Sequence, residues 1–408
     1  MMAEHRTADG AVAGTTLGGP LWQATGLALG TLVALGMGRF AYGLLLPSMT
    51  ADLGWSYAQA GALNTANAVG YLLGAVVAAR LMSKFDSRRV FLSGMLVTAA
   101  SMLGCAGTAN VVLLAALRLV SGLAGAVVFV AGATLAVQAG VHLPGRRATM
   151  PLGVYVAGSG AGIALSGIGI PPLLAALSQD TGWRAGWLLL GLVSLAAVVP
   201  AAVVTRGSGV RPAGGTGGSW ERRRLIPTAL AYLLFGVGYA GYMTFVVALL
   251  RNQLAPGQIA VFWIVLGGAG MGASFWWGSL LGRARGGRAL GGLLVIVAAG
   301  AGIPLIATGP AAALGSAVLF GSAFLSTATA VTAVARRTCP PESWGPAIGG
   351  LTTVFAVGQC AGPLFSGVLA DQGGLRAGLL LSAMMLAAGA IVSLAQRDHF
   401  DRGSQLSI

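Results

Sequence analysis

Long apolar runs, separated by short polar or basic segments, dominate the pattern of this chain. Each run reaches or exceeds the ~20 residues that an α-helix needs to cross a bilayer. The pattern predicts an all-α polytopic membrane protein with twelve transmembrane helices, here called predicted helices 1 to 12. Their approximate bounds are 22–50, 57–82, 88–109, 111–138, 148–177, 184–205, 225–250, 257–282, 288–308, 311–335, 345–370 and 375–396.

Composition agrees with this pattern. Only 8% of the 408 residues are charged and 56% are hydrophobic, whereas a soluble domain carries about 25% charged residues. A chain with so few charges could not cover a water-facing surface. Its 66 glycines fit the close approach of helices in membranes, where small residues are enriched at helix contacts.

The basic residues predict the orientation. If the N-terminus is placed inside and the helices alternate, nineteen of the 24 lysines and arginines fall in inside segments, and only Arg184, Arg251 and Arg376 fall outside. By the positive-inside rule both termini are cytoplasmic, in a multi-pass protein of the plasma (inner) membrane. The net charge of +14 therefore reflects topology, and we expect membrane lipid, not nucleic acid, around the protein.

An internal repeat divides the chain into two halves. A shift of 200 residues places Gly36, Gly38 and Tyr42 on Gly236, Gly238 and Tyr242. The same shift places Gly158, Gly162 and Gly167 of predicted helix 5 on Gly358, Gly362 and Gly367 of predicted helix 11. The Gly-, Ser- and Arg-rich stretch 206–224 reads as a flexible linker. The expected organisation is a tail at 1–21, six-helix bundles at 22–205 and 225–396 joined by the linker 206–224, and a tail at 397–408, with the tails and the linker cytoplasmic.

Several motifs resemble those of the major facilitator superfamily. The segment 79–89 is similar to its Gly-x-Leu-x-Asp-Arg-x-Gly-Arg-Arg loop, with Ser83 and Asp86 departing from the pattern, and 118–122 is similar to its Arg-x-x-x-Gly motif. The stretch 36–47, GMGRFAYGLLLP, looks like the YbfB/YjiJ-type branch. The resemblance implies two parallel six-helix repeats with a substrate site near the midplane between them.

Two arginines carry the candidate chemistry. Arg39 is the one charge in predicted helix 1, and Arg118 lies in predicted helix 4. The resemblance implies that these helices line a central cavity. A guanidinium there matches a carboxylate, phosphate or sulfate, although each arginine could instead bond to backbone or neighbouring helices.

Further polar residues complete the candidate substrate site. Asn64, Asn67 and Tyr71 recur at spacings that share one helix face, where substrate contact and helix packing compete as explanations. The other candidates, each with a packing alternative, are Tyr42, Tyr155, Tyr239, Tyr242 and Gln359. The aromatic residues of predicted helix 8, Phe262, Trp263, Phe275, Trp276 and Trp277, are expected mainly to face lipid or the membrane interface.

No acid lies in the middle of a predicted helix, and the three histidines fall in loops or tails. Asp52 and Asp371 are expected at outer and inner helix ends, respectively. Arginines without a membrane-embedded counter-charge favour an anionic substrate. We therefore predict a secondary (non-ATP) transporter that carries a small organic anion by alternating access. Efflux of apolar or cationic drugs or metabolites is the alternative, and a non-transporting membrane sensor is a remote one.

Motifs for other chemistry are missing from the sequence. It contains no P-loop, and Cys105, Cys339 and Cys360 have no metal or redox spacing. We expect no enzymatic activity, no catalytic residue, no cofactor and no bound metal. The expected partner is a small-molecule substrate, and the expected oligomeric state is a monomer.

Overall fold

A computed structural model describes residues 18–207, 222–283 and 285–397. Within these ranges twelve helices are long and apolar enough to cross a membrane. We label them α1 to α12. The predicted linker lies mostly outside the described residues, as do most of both predicted tails.

The first six helices form one half of the molecule. Three consecutive segments make up α1, namely Gly18–Thr31, Leu32–Phe40 and Tyr42–Leu53. The others are α2 (Tyr57–Lys84), α3 (Ser87–Ala106), α4 (Val111–Gly140), α5 (Met150–Ala176) and α6 (Gln179–Val204).

The other six helices form the second half. They are α7 (Ile226–Leu250), α8 (Pro256–Arg283), α9 (Arg288–Ile306), α10 (Pro310–Phe324 and Ser326–Thr338), α11 (Trp344–Gly373) and α12 (Leu375–Ser393). Each predicted helix therefore has a counterpart in the structure. The predicted bounds differ from the observed ones by several residues, because apolar runs do not mark where helices extend beyond the hydrocarbon.

The internal repeat corresponds to equivalent helix contacts in the two halves. A methyl group on Gly36 of α1 would lie 2.5 Å from the Cα atom of Gly162 in α5, and one on Gly236 of α7 would lie 2.5 Å from the carbonyl oxygen of Phe355 in α11. Glycine is needed at both places because the backbones touch. The glycines that repeat at a shift of 200 therefore lie at equivalent helix crossings, that of α1 with α5 and that of α7 with α11.

Two helix pairs join the halves. α5 packs on α8, where the indole Nε1 of Trp263 donates to Ser166 Oγ at 3.0 Å. α2 packs on α11, where Thr65 Oγ1 donates to the carbonyl oxygen of Cys360 at 2.8 Å. These contacts hold the two bundles face to face around α1 and α7.

Asp371 lies at the opposite end of the bundle from the predicted one. Its two carboxylate oxygens accept the backbone N–H groups of Tyr57 at 2.7 Å and Ala58 at 2.9 Å, so it sits beside the connection between α1 and α2. The repeat explains this, because α11 runs parallel to α7 and α1 within the pseudo-symmetric fold and ends on the same side as α1. Asp52, near the end of α1, accepts the Trp183 indole N–H at 2.7 Å.

Candidate functional site

The site begins with an irregular segment of α1. Residues Leu32–Phe40 form a π-helix that is buried along its whole length, and the N–H of Ala41 bonds back to the carbonyl of Gly36 at 3.0 Å. Such wide turns inside α-helices occur frequently at functional sites. Arg39 stands near the end of this segment, so a local distortion of the helix positions the charge.

Arg39 contacts only neutral groups. Its Nη2 donates to Gln359 Oε1 of α11 at 2.7 Å, and Gln359 Nε2 donates in turn to the hydroxyl of Tyr239 in α7 at 2.7 Å. Its guanidinium carbon lies 5.1 Å from the ring centroid of Tyr71. Among the described residues no carboxylate pairs with it, although the side chain is only 6% exposed.

Arg118 of α4 is buried next to the same segment. Its Nη1 donates to the carbonyl oxygen of Gly38, and its Nη2 donates to Asn64 Oδ1 at 3.1 Å. Its guanidinium carbon lies 4.7 Å from the ring centroid of Tyr42 and 5.5 Å from that of Trp187. The Nε of Arg118 has no partner among the described residues.

Each arginine is connected to the opposite half through an amide. Asn64, which accepts from Arg118, donates its Nδ2 to Thr244 Oγ1 of α7 at 2.6 Å. Two chains of hydrogen bonds therefore cross between the halves, Arg39–Gln359–Tyr239 and Arg118–Asn64–Thr244. Because all the bridging groups are uncharged, neither positive charge has a neutralising partner among the residues that the structure describes.

A small central cavity adjoins the first of these chains. Its volume is about 10 Å³, which is near the lower limit for one water molecule. It lies between α1, α2 and α7, and its lining residues are Arg39, Phe40, Gly43, Asn64, Tyr239, Ala240 and Met243. The structure thus brings three of the predicted residues, Arg39, Asn64 and Tyr239, to one cavity wall, with Gln359 and Arg118 bonded directly to them.

The remaining predicted residues have packing contacts. Asn67 donates its Nδ2 to the Arg118 carbonyl at 3.0 Å, and the Tyr42 hydroxyl donates to the carbonyl of Ala60 at 2.8 Å. The Tyr155 hydroxyl bonds to backbone carbonyls of α4, and that of Tyr242 lies 2.6 Å from Ser316 Oγ. These residues do not line the central cavity, and a substrate role for them stays a prediction.

Sequence reasoning missed several neighbours of the site. Thr244 was detectable as a hydroxyl-bearing residue two positions after Tyr242 in the apolar α7, whereas Phe40 and Phe324 carry no polar signal at all. The expectation for α8 was wrong at two positions, because Phe262 and Trp263 are fully buried against the protein and do not face lipid. Trp276 is 58% exposed, as expected for an outward-facing residue.

A second, larger cavity opens at the α1–α2 end of the bundle. Its volume is about 540 Å³, and its lining comes from both halves: Pro47, Thr50, Ala51, Trp55, Ser56, Tyr57, Gln179, Ala248, Arg251, Asn252 and Asp371. We call it the vestibule. Between it and the central cavity α1 crosses α7, and a methyl group on Gly43 would lie 2.5 Å from the carbonyl oxygen of Met243.

Comparison with known proteins identifies the family. The model of the family described as "Uncharacterised MFS-type transporter YbfB" matches residues 31–394, which confirms the resemblance found in the sequence. A chloramphenicol resistance protein of Streptomyces lividans is 27% identical over 387 residues, 88% of this chain and 92% of that protein. A gallate transporter of Pseudomonas putida is 30% identical over 154 residues, 38% of this chain and only 33% of the transporter.

Solved structures share the fold at low sequence identity. A bacterial homolog of the human lysosomal transporter Spinster, in an inward-facing and occupied conformation, has a TM-score of 0.73 at 15% identity and covers 92% of this chain and 97% of that one. The nucleoside transporter NupG has a TM-score of 0.70 at 11% identity, with 92% and 98% covered. The chain therefore belongs to the YbfB family of the major facilitator superfamily, and the protein is a multi-pass secondary transporter of small molecules, not an enzyme.

Proposed function

We propose that this transporter moves a small organic anion by alternating access, with Arg39 as the group that binds the negative charge. The observation that carries the proposal is the contact set of Arg39. The guanidinium lines the central cavity between the halves, and its hydrogen bond goes to the neutral amide of Gln359. Its Nη1 and Nε have no hydrogen-bond partner among the described residues and remain available as donors.

The energetics favour an anionic ligand. A charged side chain at the centre of a membrane helix costs about 2.5–3.5 kcal/mol on insertion scales. Neutral hydrogen bonds offset part of this cost, but an anion adds the attraction of an opposite charge in a site with little water, where electrostatic interactions are stronger. Binding of a carboxylate to the planar fork of Arg39 would supply two parallel hydrogen bonds as well.

The arrangement of the halves supports the transport mechanism. The central cavity lies between α1, α2 and α7, and the crossing at Gly43 and Met243 separates it from the vestibule. In this mechanism the halves, 22–205 and 225–396, rock about the site and expose it to each side in turn. The proposed setting is a bacterial inner membrane with both termini in the cytoplasm.

A second candidate is efflux of apolar or cationic drugs. The rings of Phe40 and Tyr239 line the central cavity, and Phe324 packs on both. The relative with the longer match is named a chloramphenicol resistance protein. Against a cationic cargo stands the permanent charge of Arg39 at the same cavity. The relative named for gallate transport supports an anion, although its match covers a third of that protein.

Counterflow in proteoliposomes separates the two candidates. Vesicles are loaded in turn with unlabelled organic acids and with a cationic dye, and uptake of the labelled compound is measured for the wild type, Arg39→Gln, Arg39→Lys and Arg80→Gln. Arg80 is exposed, so its variant controls for the loss of one positive charge. For an anion carrier we expect uptake of at least one acid that Arg39→Gln abolishes, that Arg39→Lys partly retains and that Arg80→Gln leaves intact. Dye counterflow that survives Arg39→Gln, with no acid transported, would support efflux instead.

A further inference from the structure

The surroundings of Arg39 contain more aromatic rings than anion binding requires. Phe40 of α1 lies with its ring centroid 6.5 Å from that of Tyr239 and 5.9 Å from that of Phe324, at interplanar angles of 76° and 80°. Tyr239 and Phe324 are themselves stacked, with centroids 6.4 Å apart. These three rings come from α1, α7 and α10 and so from both halves.

The ring cluster continues from Tyr239 along α7 and α11. Phe235 stacks on Tyr239 with a centroid distance of 5.0 Å, and Phe355 lies 5.7 Å from Tyr239. Edge-to-face and offset-stacked geometries at these distances are the favoured ones for aromatic pairs. A further ring entering at Phe40 and Tyr239 would thus join surfaces of the kind that already attract one another.

Charge and rings meet at one cavity wall. Arg39 and Phe40 are consecutive, yet both line the central cavity together with Tyr239 and Asn64. Both residues lie in the π-helical segment Leu32–Phe40, whose wider turns position the two neighbouring side chains. The lining therefore combines cationic and hydrogen-bonding groups, Arg39 and Asn64, with the apolar side chains of Phe40 and Met243.

We propose that the cargo is an aromatic carboxylate whose acid group binds Arg39 and whose ring lies against Phe40 and Tyr239, the two rings of the cavity lining on which Phe324 packs. This inference rests on the proposed function and specifies which class of organic anion is transported. An aliphatic acid satisfies Arg39 but gives the rings no aromatic partner, whereas an uncharged aromatic compound leaves the arginine unpaired. Since the central cavity measures about 10 Å³, it has to widen before such a ligand enters.

Direct binding to the purified full-length protein tests the preference for aromatic carboxylates. Binding, unlike transport into vesicles, is not affected by protonated acids that cross the lipid passively. Isothermal titration compares matched pairs that keep the carboxylate and the six-membered ring: benzoate with cyclohexanecarboxylate, phenylacetate with cyclohexylacetate, and 4-hydroxybenzoate with 4-hydroxycyclohexanecarboxylate. The energies of aromatic pairs predict about 3- to 10-fold tighter binding of the aromatic member. The variant Phe40→Leu, which removes a ring of the cavity lining, should reduce this preference to less than 2-fold, and Arg39→Gln should abolish binding of both members.

Phe91 of α3 provides a matched control. It is a buried phenylalanine too, but it packs beside Gly30 and does not line the central cavity. Phe91→Leu should keep the preference, which separates a loss of ring contact from a general loss of packing. The aromatic inference is overturned if the cyclohexyl members bind equally or more tightly, or if only aliphatic acids bind and their binding depends on Arg39. Either result remains consistent with an anion carrier. If no acid of any kind binds or is transported, both proposals fall.

Discussion

The Nη2 atom of Arg39 and the Oε1 atom of Gln359 lie 2.7 Å apart, although 320 residues separate them in the chain. This bond joins α1 of the first half to α11 of the second, and Gln359 extends it to the Tyr239 hydroxyl. At a shift of 200 residues Tyr239 is the counterpart of Arg39 in the repeat. The two equivalent positions thus meet across the pseudo-symmetry axis with one amide between them.

A carboxylate at position 359 should compete with the substrate. Gln359→Glu retains the size of the side chain and places a negative charge where an amide oxygen now accepts from Arg39. A charge-assisted bond is shorter and roughly twice as strong as a neutral one, so the variant should have a higher melting temperature and at least about 10-fold weaker binding of any anionic substrate. Thermal unfolding and ligand titration of the purified protein measure both effects.

The control for this variant is Gln359→Met, which removes the amide without adding a charge. It should lower the melting temperature, because Arg39 and Tyr239 each lose a buried hydrogen-bond partner. If Glu and Met at position 359 weaken anion binding equally and both destabilise the protein, then charge competition at Arg39 is not the cause and Gln359 acts through packing.

Arg118 should be a positioning residue for the π-helical segment. It donates to the Gly38 carbonyl, next to Arg39, and to Asn64. Replacement by methionine removes both bonds, each worth about 1.5–3 kcal/mol when one partner is charged. Arg118→Met should therefore lower the melting temperature clearly and weaken transport through the displacement of Arg39.

Arg118→Lys provides the comparison for this prediction. Lysine retains the charge but lacks the planar fork that reaches two acceptors at once, so it should restore little of the melting temperature. Full restoration of stability and transport by lysine would mean that position 118 needs only a charge. The need for a planar group that bonds to Gly38 and Asn64 at the same time would then be excluded.

Asp371 should hold the halves together at the α1–α2 end. Its carboxylate accepts two N–H groups at the N-terminus of α2, where the helix dipole also favours a negative charge. Asp371→Ala should therefore shift the population toward a state opened at this end. The measure is the labelling rate of a cysteine introduced at Ala240, a residue of the central cavity wall, with a membrane-impermeant thiol reagent added from the vestibule side.

Asp371→Asn should give a smaller increase in labelling, since the amide oxygen can still accept one of the two N–H groups. An unchanged rate in Asp371→Ala would show that the contact contributes nothing to closure. Of the native cysteines, Cys105 and Cys339 are buried and Cys360 is half-buried, so the added cysteine is compared with the parent chain in which Cys360 is replaced by serine, and labelling of that parent chain gives the background.

The twelve helices could be predicted from the sequence because the bilayer imposes one length and one polarity on every span. The pairing of Arg39 with Gln359 could not, since it depends on how the two halves face each other. Periodicity also gives no sign of the π-helix at Leu32–Phe40, where every position is buried and no polar face marks the extra residue. The side on which Asp371 lies was recoverable from the repeat, which makes α11 parallel to α7; the expectation of an inner helix end was therefore wrong.

Gly43 should control access between the vestibule and the central cavity. It lies where α1 crosses α7, and the Cβ of an alanine would be 2.5 Å from the Met243 carbonyl oxygen, closer than real Cβ contacts. Because the obstacle is backbone, Gly43→Ala must push the helices apart, so we expect faster labelling of the cysteine at position 240 from the vestibule side and a lower melting temperature. The matched control is Gly268→Ala in α8, where an added methyl group meets nothing within 4 Å; it should leave both measurements unchanged. Equal effects of the two substitutions would mean that the loss of a flexible glycine, and not the crossing of α1 and α7, determines the result.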